Sequence, residues 1–274
     1  MNRKQWACCA TIAAFALGEI AMAAARLPFR DGFESGNFAA WNGGLESTMS
    51  VTASQAAVGT YSVQSILTPG TPTDNYKDYL FGDHRSVGGA PVTPQAGVWL
   101  SLQSKFDPGF LFGTNTGNHK IAIVNFEDEN GRRRYQIIIN VAVRGGGDYI
   151  IEHLKWNADR SFNRSLPCCV QNVGTPVKPR IGQWDRLKLF IRPNTPGQTD
   201  GVVQFWVNGV LKVDYPNITL REDTQYNPNK MILSSHSSDI TPSGIQRWDD
   251  FYLGETDPDD SQVRPRPPVL NEVR

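Results

Sequence analysis

The sequence has few cysteines, no excess of either charge and no long apolar run beyond its first 25 residues. Four cysteines occur in 274 residues, and only Cys168 and Cys169 follow residue 25. Neighbouring Cα atoms lie about 3.8 Å apart, below the usual disulfide span, so a bridge between these two would be strained. Two reduced thiols, a vicinal disulfide and an intermolecular disulfide all stay open. Metal binding by this pair alone is not expected, because a tetrahedral site needs four ligands.

The charges balance, with 27 lysines and arginines against 27 acidic residues. A neutral chain generates no global field that would draw it to nucleic acid or to a membrane surface, so neither partner is expected. No stretch after residue 25 approaches the roughly 20 apolar residues of a spanning helix. Any site for an anion must therefore be a local cluster of cations.

The first 25 residues predict a secretory signal peptide. Arg3 and Lys4 precede an alanine-rich apolar run, and Ala21-Met22-Ala23 fits a small-residue cleavage site. The mature protein, from Arg26, is expected to be soluble, secreted or periplasmic, and monomeric. One domain is predicted over residues 26–255, followed by a disordered, proline-rich tail over residues 256–274.

The remainder of the chain predicts an all-β protein. No segment after Ala25 keeps an amphipathic helical period, whereas short alternating runs bounded by Gly, Pro, Asn and Asp recur throughout. Long loops are predicted over residues 68–96, 157–180 and 216–229. The predicted strands are Phe29–Phe33, Ser50–Thr52, Tyr61–Leu67, Gly97–Phe106, His119–Phe126, Tyr135–Val143, Tyr149–Trp156, Trp184–Ile191, Val202–Val207, Val210–Tyr215, Lys230–Ser235 and Arg247–Leu253.

Two of these strands carry the most informative pattern. In residues 184–192, leucine and isoleucine alternate with arginine and lysine, which predicts one core face and one basic face. In residues 202–207, apolar residues alternate with Gln204 and Trp206, and Asn208-Gly209 supplies a tight hairpin turn. An exposed tryptophan beside an amide and cations is typical of a sugar-binding surface.

These strands, with Gly182-Gln183-Trp184 and Val207-Asn208-Gly209, resemble those of the concanavalin A-like jelly rolls, which are two-sheet antiparallel β-sandwiches. The opening Asp31-Gly32-Phe33-Glu34-Ser35-Gly36 and the closing Trp248-Asp249-Asp250 also resemble that group. The similarity is nearest to the secreted bacterial polysaccharide lyases, of the heparin lyase I-like and glucuronan lyase-like kind. It implies a concave sheet that binds an acidic polysaccharide, with a His or Tyr base and amide or Arg groups that neutralise carboxylates.

The sequence departs from one pattern within that group. It lacks the alginate lyase signatures Arg-x-Glu-x-Arg and Gln-x-His. Catalytic roles are therefore not transferred residue by residue.

The two ends of the chain predict a structural calcium site. First and last strands are neighbours in such folds, so Asp31, Glu34, Asp249 and Asp250 could converge. Carboxylate oxygens are preferred ligands of Ca²⁺. The alternative is that these acids only cap turns and accept hydrogen bonds from backbone at the sheet edge.

The pattern of acidic residues disfavours a hydrolase. Glycosidases of this superfamily carry two acids at alternating positions of one strand, whereas Glu152 stands alone and residues 127–129 lie in a turn. His236 lies in a serine-rich segment, but no Gly-x-Ser-x-Gly elbow occurs, which argues against a serine hydrolase.

β-Elimination of a uronate suits the composition better. It needs a group that neutralises the C6 carboxylate, a base for the C5 proton and an acid for the leaving oxygen. Positions predicted to face outward supply amides, cations and a histidine, which form one groove if their strands share a sheet. The catalytic candidates are His153, Gln136, Asn140, Lys155 and Tyr149; the substrate-binding candidates are Arg186, Lys188, Arg192, Gln204, Trp206, His119, Lys120 and His236.

Three hypotheses follow. The chain is a polysaccharide lyase acting on a uronate-containing glycan, a non-catalytic carbohydrate-binding module, or a structural surface protein of the same fold. The simpler explanation of His153 and Lys155 is a solvated strand face, and Trp206 could be covered by the loop at residues 193–200 instead of by sugar.

Overall fold

The structure is a computed structural model and describes most of the chain after residue 26. The described ranges are 27–45, 48–69, 75–82, 97–113, 117–128, 130–142, 146–157, 159, 161–164, 171–222, 226–237 and 242–260. The predicted signal peptide and the Cys168–Cys169 pair lie outside these residues.

Fifteen strands make up the described part. They are β1 Phe29–Asp31, β2 Gly43–Leu45, β3 Met49–Thr52, β4 Ser62–Leu67, β5 Tyr76–Leu80, β6 Val98–Phe106, β7 Asn118–Glu127, β8 Arg133–Ala142, β9 Asp148–Trp156, β10 Phe162–Arg164, β11 Trp184–Arg192, β12 Gly201–Val207, β13 Val210–Ile218, β14 Lys230–Ser234 and β15 Gly244–Gly254. Each of the twelve predicted strands is present. Strands β2, β5 and β10 were not predicted, and β5 lies inside a segment expected to be a loop.

The strands form two open antiparallel sheets. Sheet A has the order β13-β12-β11-β6-β15-β4-β3, with β1 also paired to β15. Sheet B has the order β10-β9-β8-β7-β14-β5-β2. No helix occurs in the described residues, and so none there is long and apolar enough to span a membrane. The prediction of an all-β, two-sheet antiparallel sandwich of the jelly-roll kind is confirmed.

Two local predictions from the sequence also hold. Strand β1 pairs with β15, so the first and last strands of the domain are neighbours. Asn208 and Gly209 have φ of 51° and 79°, the left-handed conformation that a tight β12–β13 hairpin requires. Residues 256–260 of the predicted disordered tail form a turn that packs against sheet A, so the folded domain extends at least to residue 260.

Side chains from the facing surfaces of both sheets form one core. Inward residues alternate along the long strands, as in Leu187, Leu189 and Ile191 of β11, all fully buried. A second, smaller apolar cluster lies on the outer face of sheet B, where Ile123, Ile138 and Leu154 pack with Trp156 and Ile232. Sheet B is therefore apolar on parts of both faces.

Two histidines are buried in the interior. The Nε2 of His119 lies 2.7 Å from Gln246 Oε1, which can only accept, so Nδ1 accepts from the Ser237 hydroxyl at 2.6 Å. His153 lies 3.0 Å from the Leu220 carbonyl and stacks on the Tyr135 ring. Burial lowers the pKa of each imidazole to about 4. Both rings are therefore neutral at pH 7.

The free energy of unfolding should fall between pH 6.5 and pH 4, because these imidazoles take up protons more readily in the unfolded chain. By pH 4.5, each histidine is expected to lower the free energy of unfolding by roughly 2–3 kcal/mol. Urea unfolding of wild type and His119→Gln at several pH values measures this, since the variant should show a shallower dependence. Identical slopes would contradict the assignment of a neutral His119.

Candidate active site on sheet B

A groove of about 520 Å³ crosses the outer face of sheet B. Its floor comes from five neighbouring strands, β9, β8, β7, β14 and β5, whose outward positions alternate with core positions. Polar, charged and aromatic side chains line it: Tyr76, Asp78, Lys120, Ile123, Asn125, Glu127, Gly131, Arg133, Gln136, Trp156, Lys230, Ile232, Ser234 and His236.

A chain of hydrogen bonds runs across one end of the groove floor, and we call it the amide ladder. Trp156 Nε1 donates to Gln136 Oε1 at 2.7 Å, and Gln136 Nε2 donates to Asn125 Oδ1 at 2.7 Å. Asn125 Nδ2 then donates to Glu127 Oε1 at 2.8 Å. Because an indole N–H can only donate and a carboxylate only accepts, both amides are fixed in orientation. Each amide keeps one further N–H for another acceptor.

The ladder ends in a partly buried charge cluster. Lys230 Nζ lies 3.2 Å from Glu127 Oε1 and 3.4 Å from Asp78 Oδ2. Burial alone would lower the pKa of Lys230, but the two carboxylates outweigh it and raise that pKa above its ordinary value. Burial raises the pKa of Asp78, and Lys230 offsets part of this rise. Lys230 is therefore held as a cation between two acids.

Aromatic rings form a wall beside the ladder. The Arg133 guanidinium carbon lies 4.3 Å from the Trp156 ring centroid, and the Phe162 ring centroid lies 5.3 Å from Trp156. Phe162 is 46% exposed although it is apolar. Arg133 is exposed as well, so this end offers a cation and ring faces to a ligand.

At the other end of the groove lie the side chains suited to proton transfer, Lys120, His236 and Tyr76. The backbone N–H of Lys120 donates to the His236 carbonyl at 2.9 Å, which sets the two residues side by side. Tyr76 is paired with Ser234, two residues before His236. All three side chains are partly exposed and line the groove. Asn140 is opposite Lys120 in the β7–β8 register, fully buried, and donates to Glu152 Oε2 at 2.6 Å.

A β-bulge in β7 gives these residues their common face. The β7–β8 register shifts between Lys120 and Ala122, so Lys120 faces outward together with Ile123 and Asn125 although their spacing breaks simple alternation. Gln136 is opposite Asn125. Along the strand direction, Gln136 and His236 are four to five residue steps apart, which is about 15 Å. The ladder and the proton-transfer end are therefore distinct regions of one groove.

Of the predicted catalytic residues, Gln136 and Asn140 lie on the outer face of sheet B, but the placement of the β9 candidates was wrong. His153 and Tyr149 face the core, and Lys155 lies at the rim, paired with Glu222. Ile150 and Leu154 occupy the outward positions of β9 instead. Tyr149 donates to Asp185 at 2.9 Å, and burial together with that carboxylate raises its pKa well above 10.

The predicted substrate-binding residues divide among three locations. Lys120 and His236 line the groove, whereas His119 is buried in the core against Phe106, Phe110 and Phe112. The remaining predicted group lies on strands β11 and β12 of sheet A, so the candidates do not all share one sheet and do not form a single groove. That group is Arg186, Lys188, Arg192, Gln204 and Trp206.

The predicted calcium ligands accept hydrogen bonds from the chain itself. Asp31 accepts from the Phe33 N–H and from the Trp41 indole, each at 2.7 Å. Asp249 accepts at 2.7 and 3.0 Å from the backbone of residues 57 and 58.

Two acids remain in that set. Glu34 accepts from the backbone N–H groups of Thr60 and Tyr61, and Asp250 is exposed. Within the described ranges, no three acidic, histidine or cysteine side chains gather as a metal-binding group. Calcium stays a prediction.

Several groove residues were not identified from the sequence. Tyr76 and Asp78 lie on β5, inside the segment predicted to be a loop, and Trp156 and Lys230 are the end residues of their strands. Arg133 is the first residue of β8, directly after a turn, and is not among the candidates predicted from the sequence. Residues 76–80 show no apolar alternation that could have revealed β5, because Lys77 and Asp78 interrupt the apolar residues.

The structure is similar in fold to known lyases. The chain matches no protein-family model, and a search of curated proteins finds no match. The endo-β-1,4-glucuronan lyase of the fungus Trichoderma reesei superposes with a TM-score of 0.57 at 13% identity, covering 83% of this chain and 95% of that one. A variant of alginate lyase Aly36B in complex with alginate trisaccharide gives 0.56 at 12% identity, covering 85% and 100%.

A third structure agrees with these two. Alginate lyase vAL-1 from Chlorella virus gives a TM-score of 0.54 at 12% identity, covering 79% of this chain and 93% of that one. Identities this low establish the fold alone. The predicted resemblance to the jelly-roll polysaccharide lyases is confirmed at that level.

Replacing Gln136 with leucine should destabilise the protein by about 1–3 kcal/mol, because it leaves Asn125 Oδ1 and the Trp156 N–H without their partner. The matched control is Gln204→Leu on sheet A. That amide is only partly buried and makes one bond, to Asp214 at 3.1 Å, so a change within about 0.5 kcal/mol is expected. Urea unfolding measures both, and equal effects would argue against a structural ladder.

Proposed function

We propose that this protein is a polysaccharide lyase that cleaves a uronate-containing glycan by β-elimination in the sheet B groove. The observation that carries the proposal is the composition of the groove. One end combines a histidine, a tyrosine and a lysine, and the other combines oriented amides with a cation and aromatic rings. Proteins of similar fold that are named glucuronan lyase and alginate lyase support this choice of reaction.

The reaction assigns one role to each residue of the proton-transfer end. Lys120 neutralises the C6 carboxylate, which makes the C5 proton acidic. His236 takes that proton on an imidazole nitrogen, since histidine is the side chain that most often serves as a general base. The C5–H electrons form the C4–C5 double bond as the C4–O bond breaks. Tyr76 donates its proton to the departing oxygen.

The amide ladder has a binding role in this proposal. Gln136 and Asn125 keep one N–H each beyond the ladder, and Arg133 adds an exposed cation. These donors suit the carboxylate of a neighbouring sugar unit, while Trp156 and Phe162 suit a sugar face. Because Gln136 lies about 15 Å from His236 along the strand direction alone, its loss should weaken binding more than it slows the chemical step.

A carbohydrate-binding module is the alternative function. The amides and rings at the ladder end would bind a polymer without any proton transfer. A protein that retains an acidic glycan yet forms no unsaturated product would be such a module.

His236→Gln and Tyr76→Phe should each lower the rate of product formation by about 10²–10⁴, the usual contribution of a general base or acid. Retention of the glycan should stay near the wild-type level, because neither change removes a cation. The measurements are the ultraviolet absorbance of the unsaturated uronate on a panel of acidic polysaccharides, and retention on an immobilised glycan.

Tyr215→Phe is the matched control, since Tyr215 lies on β13 at the far edge of sheet A. Its rate should equal that of wild type. A full rate in His236→Gln, with wild type active, would remove this residue from the mechanism.

We also propose a structural Ca²⁺ at the chain ends, supported by the pairing of β1 with β15, which brings Asp31 and Asp249 into one region. Excess chelator should then lower the stability by about 2–4 kcal/mol, the linkage expected for an ion at 100 to 1,000 times its Kd. Thermal unfolding with and without chelator measures this. An unchanged unfolding temperature would leave these acids as turn caps only.

Export is part of the same proposal. Its support is the basic, apolar and small-residue pattern of the first 25 residues, which is typical of a signal peptide. A polymeric glycan is too large to enter a cell, so a secreted or periplasmic enzyme suits the proposed substrate.

A further inference from the structure

A cation lies between two tryptophans on the outer face of sheet A. Lys188 Nζ is 5.1 Å from the Trp99 ring centroid and 4.7 Å from that of Trp206. The two indoles stack with centroids 5.7 Å apart, and both are only partly buried. This cluster is on the opposite sheet from the groove, and the chemistry proposed for the groove does not use it.

Two carboxylates from the end of the described chain occupy this cluster. Lys188 Nζ contacts Asp257 Oδ1 at 3.1 Å and Asp259 Oδ2 at 2.8 Å, and the Arg186 guanidinium contacts Asp259 Oδ1 at 2.5 Å. Partial burial would raise the pKa of Asp259, but its bonds to these cations outweigh that effect and lower it. Asp259 is therefore charged and paired at neutral pH.

Hydrogen bonds hold the segment that carries these acids in a turn. Tyr252 donates to the Thr256 carbonyl at 2.8 Å, and Asp259 N–H donates to Asp257 Oδ1 at 2.9 Å. Pro258 is buried between the two acids. The packing of the sandwich core does not depend on this turn, because the turn covers two tryptophans that project from the outer face.

We propose that the outer face of sheet A is a second binding site for a uronate chain, and that Asp257 and Asp259 fill it as an internal substitute for the ligand carboxylates. The carboxylate is the group that the turn and a polyuronate share. Cations 2.5–3.2 Å from those oxygens, beside partly exposed indole faces, are the groups that hold an acidic sugar. The proposal rests on the proposed function only for the class of polymer.

In this arrangement the turn and the ligand compete for the same cations. A polyuronate must displace the turn before it reaches Lys188, so its apparent affinity is reduced by the fraction of molecules in which the turn is docked. Removing the two charges should free the cations without changing the size of the side chains. Binding at sheet A should also weaken as salt rises, because it depends on ion pairs.

The experiment compares the full chain with Asp257→Asn/Asp259→Asn, both carrying His236→Gln so that cleavage does not consume the probe. Titration calorimetry with polyglucuronate oligosaccharide is the measurement, and neutral glucan oligosaccharide of equal length is the control probe. We expect the asparagine variant to bind polyglucuronate about tenfold more tightly, the factor for a turn docked in about nine molecules of ten. Neutral glucan should show no gain.

Three further variants locate the effect. Glu255→Gln removes an exposed charge just before the turn and should leave the affinity unchanged. Trp206→Ala in the asparagine background should abolish the gain. Asp259→Asn alone should give an intermediate gain, which keeps the test decisive if the double variant fails to fold.

The outcomes separate this proposal from the proposed function. An unchanged affinity in the asparagine variants, or a gain that survives Trp206→Ala, would overturn the second site. A gain that depends on Trp206 would support it even if the wild-type protein forms no unsaturated product, because the titration measures binding alone.

Discussion

The pairing register of β7 and β8 is the constraint on which the candidate active site depends. It sets Asn125 opposite Gln136 and Asn140 opposite Lys120, so the pairing of these two strands fixes both ends of the groove. The bulge after Lys120 then restores a common outward face to residues whose spacing would otherwise place them on opposite sides. A shift of one residue in this register would send the amides into the core and apolar side chains into the groove.

The two-sheet architecture explains why the polar surfaces divide into two sites. Both sheets bury their facing surfaces in one core, so the outer face of sheet B and the outer face of sheet A lie back to back. Gln136 belongs to the first and Lys188 to the second. Basic strands that look alike in sequence therefore serve separate surfaces, and only the strand order reveals which.

Alternation of apolar residues was sufficient to predict the long strands, and the Asn208-Gly209 pair predicted the tight turn. The pairing of the chain ends was predicted from the resemblance to the jelly rolls. Alternation failed for β5, where Lys77 and Asp78 are charged yet buried; Asp78 is neutralised by Lys230 from a strand about 150 residues later. It also reversed the faces of β9, because Leu154 packs in an apolar cluster outside the core while His153 is inside. Long-range contacts of this kind have no local signature.

The amide ladder has a polarity that its two ends impose. Trp156 can only give a hydrogen and Glu127 can only receive one, so every bond between them points the same way across the sheet. An amide between two hydroxyls could rotate and present either its oxygen or its nitrogen to a ligand. Here the ends prevent rotation, so the oxygen of each amide stays on the Trp156 side and its nitrogen on the Glu127 side, and neither amide can turn over when a ligand enters the groove.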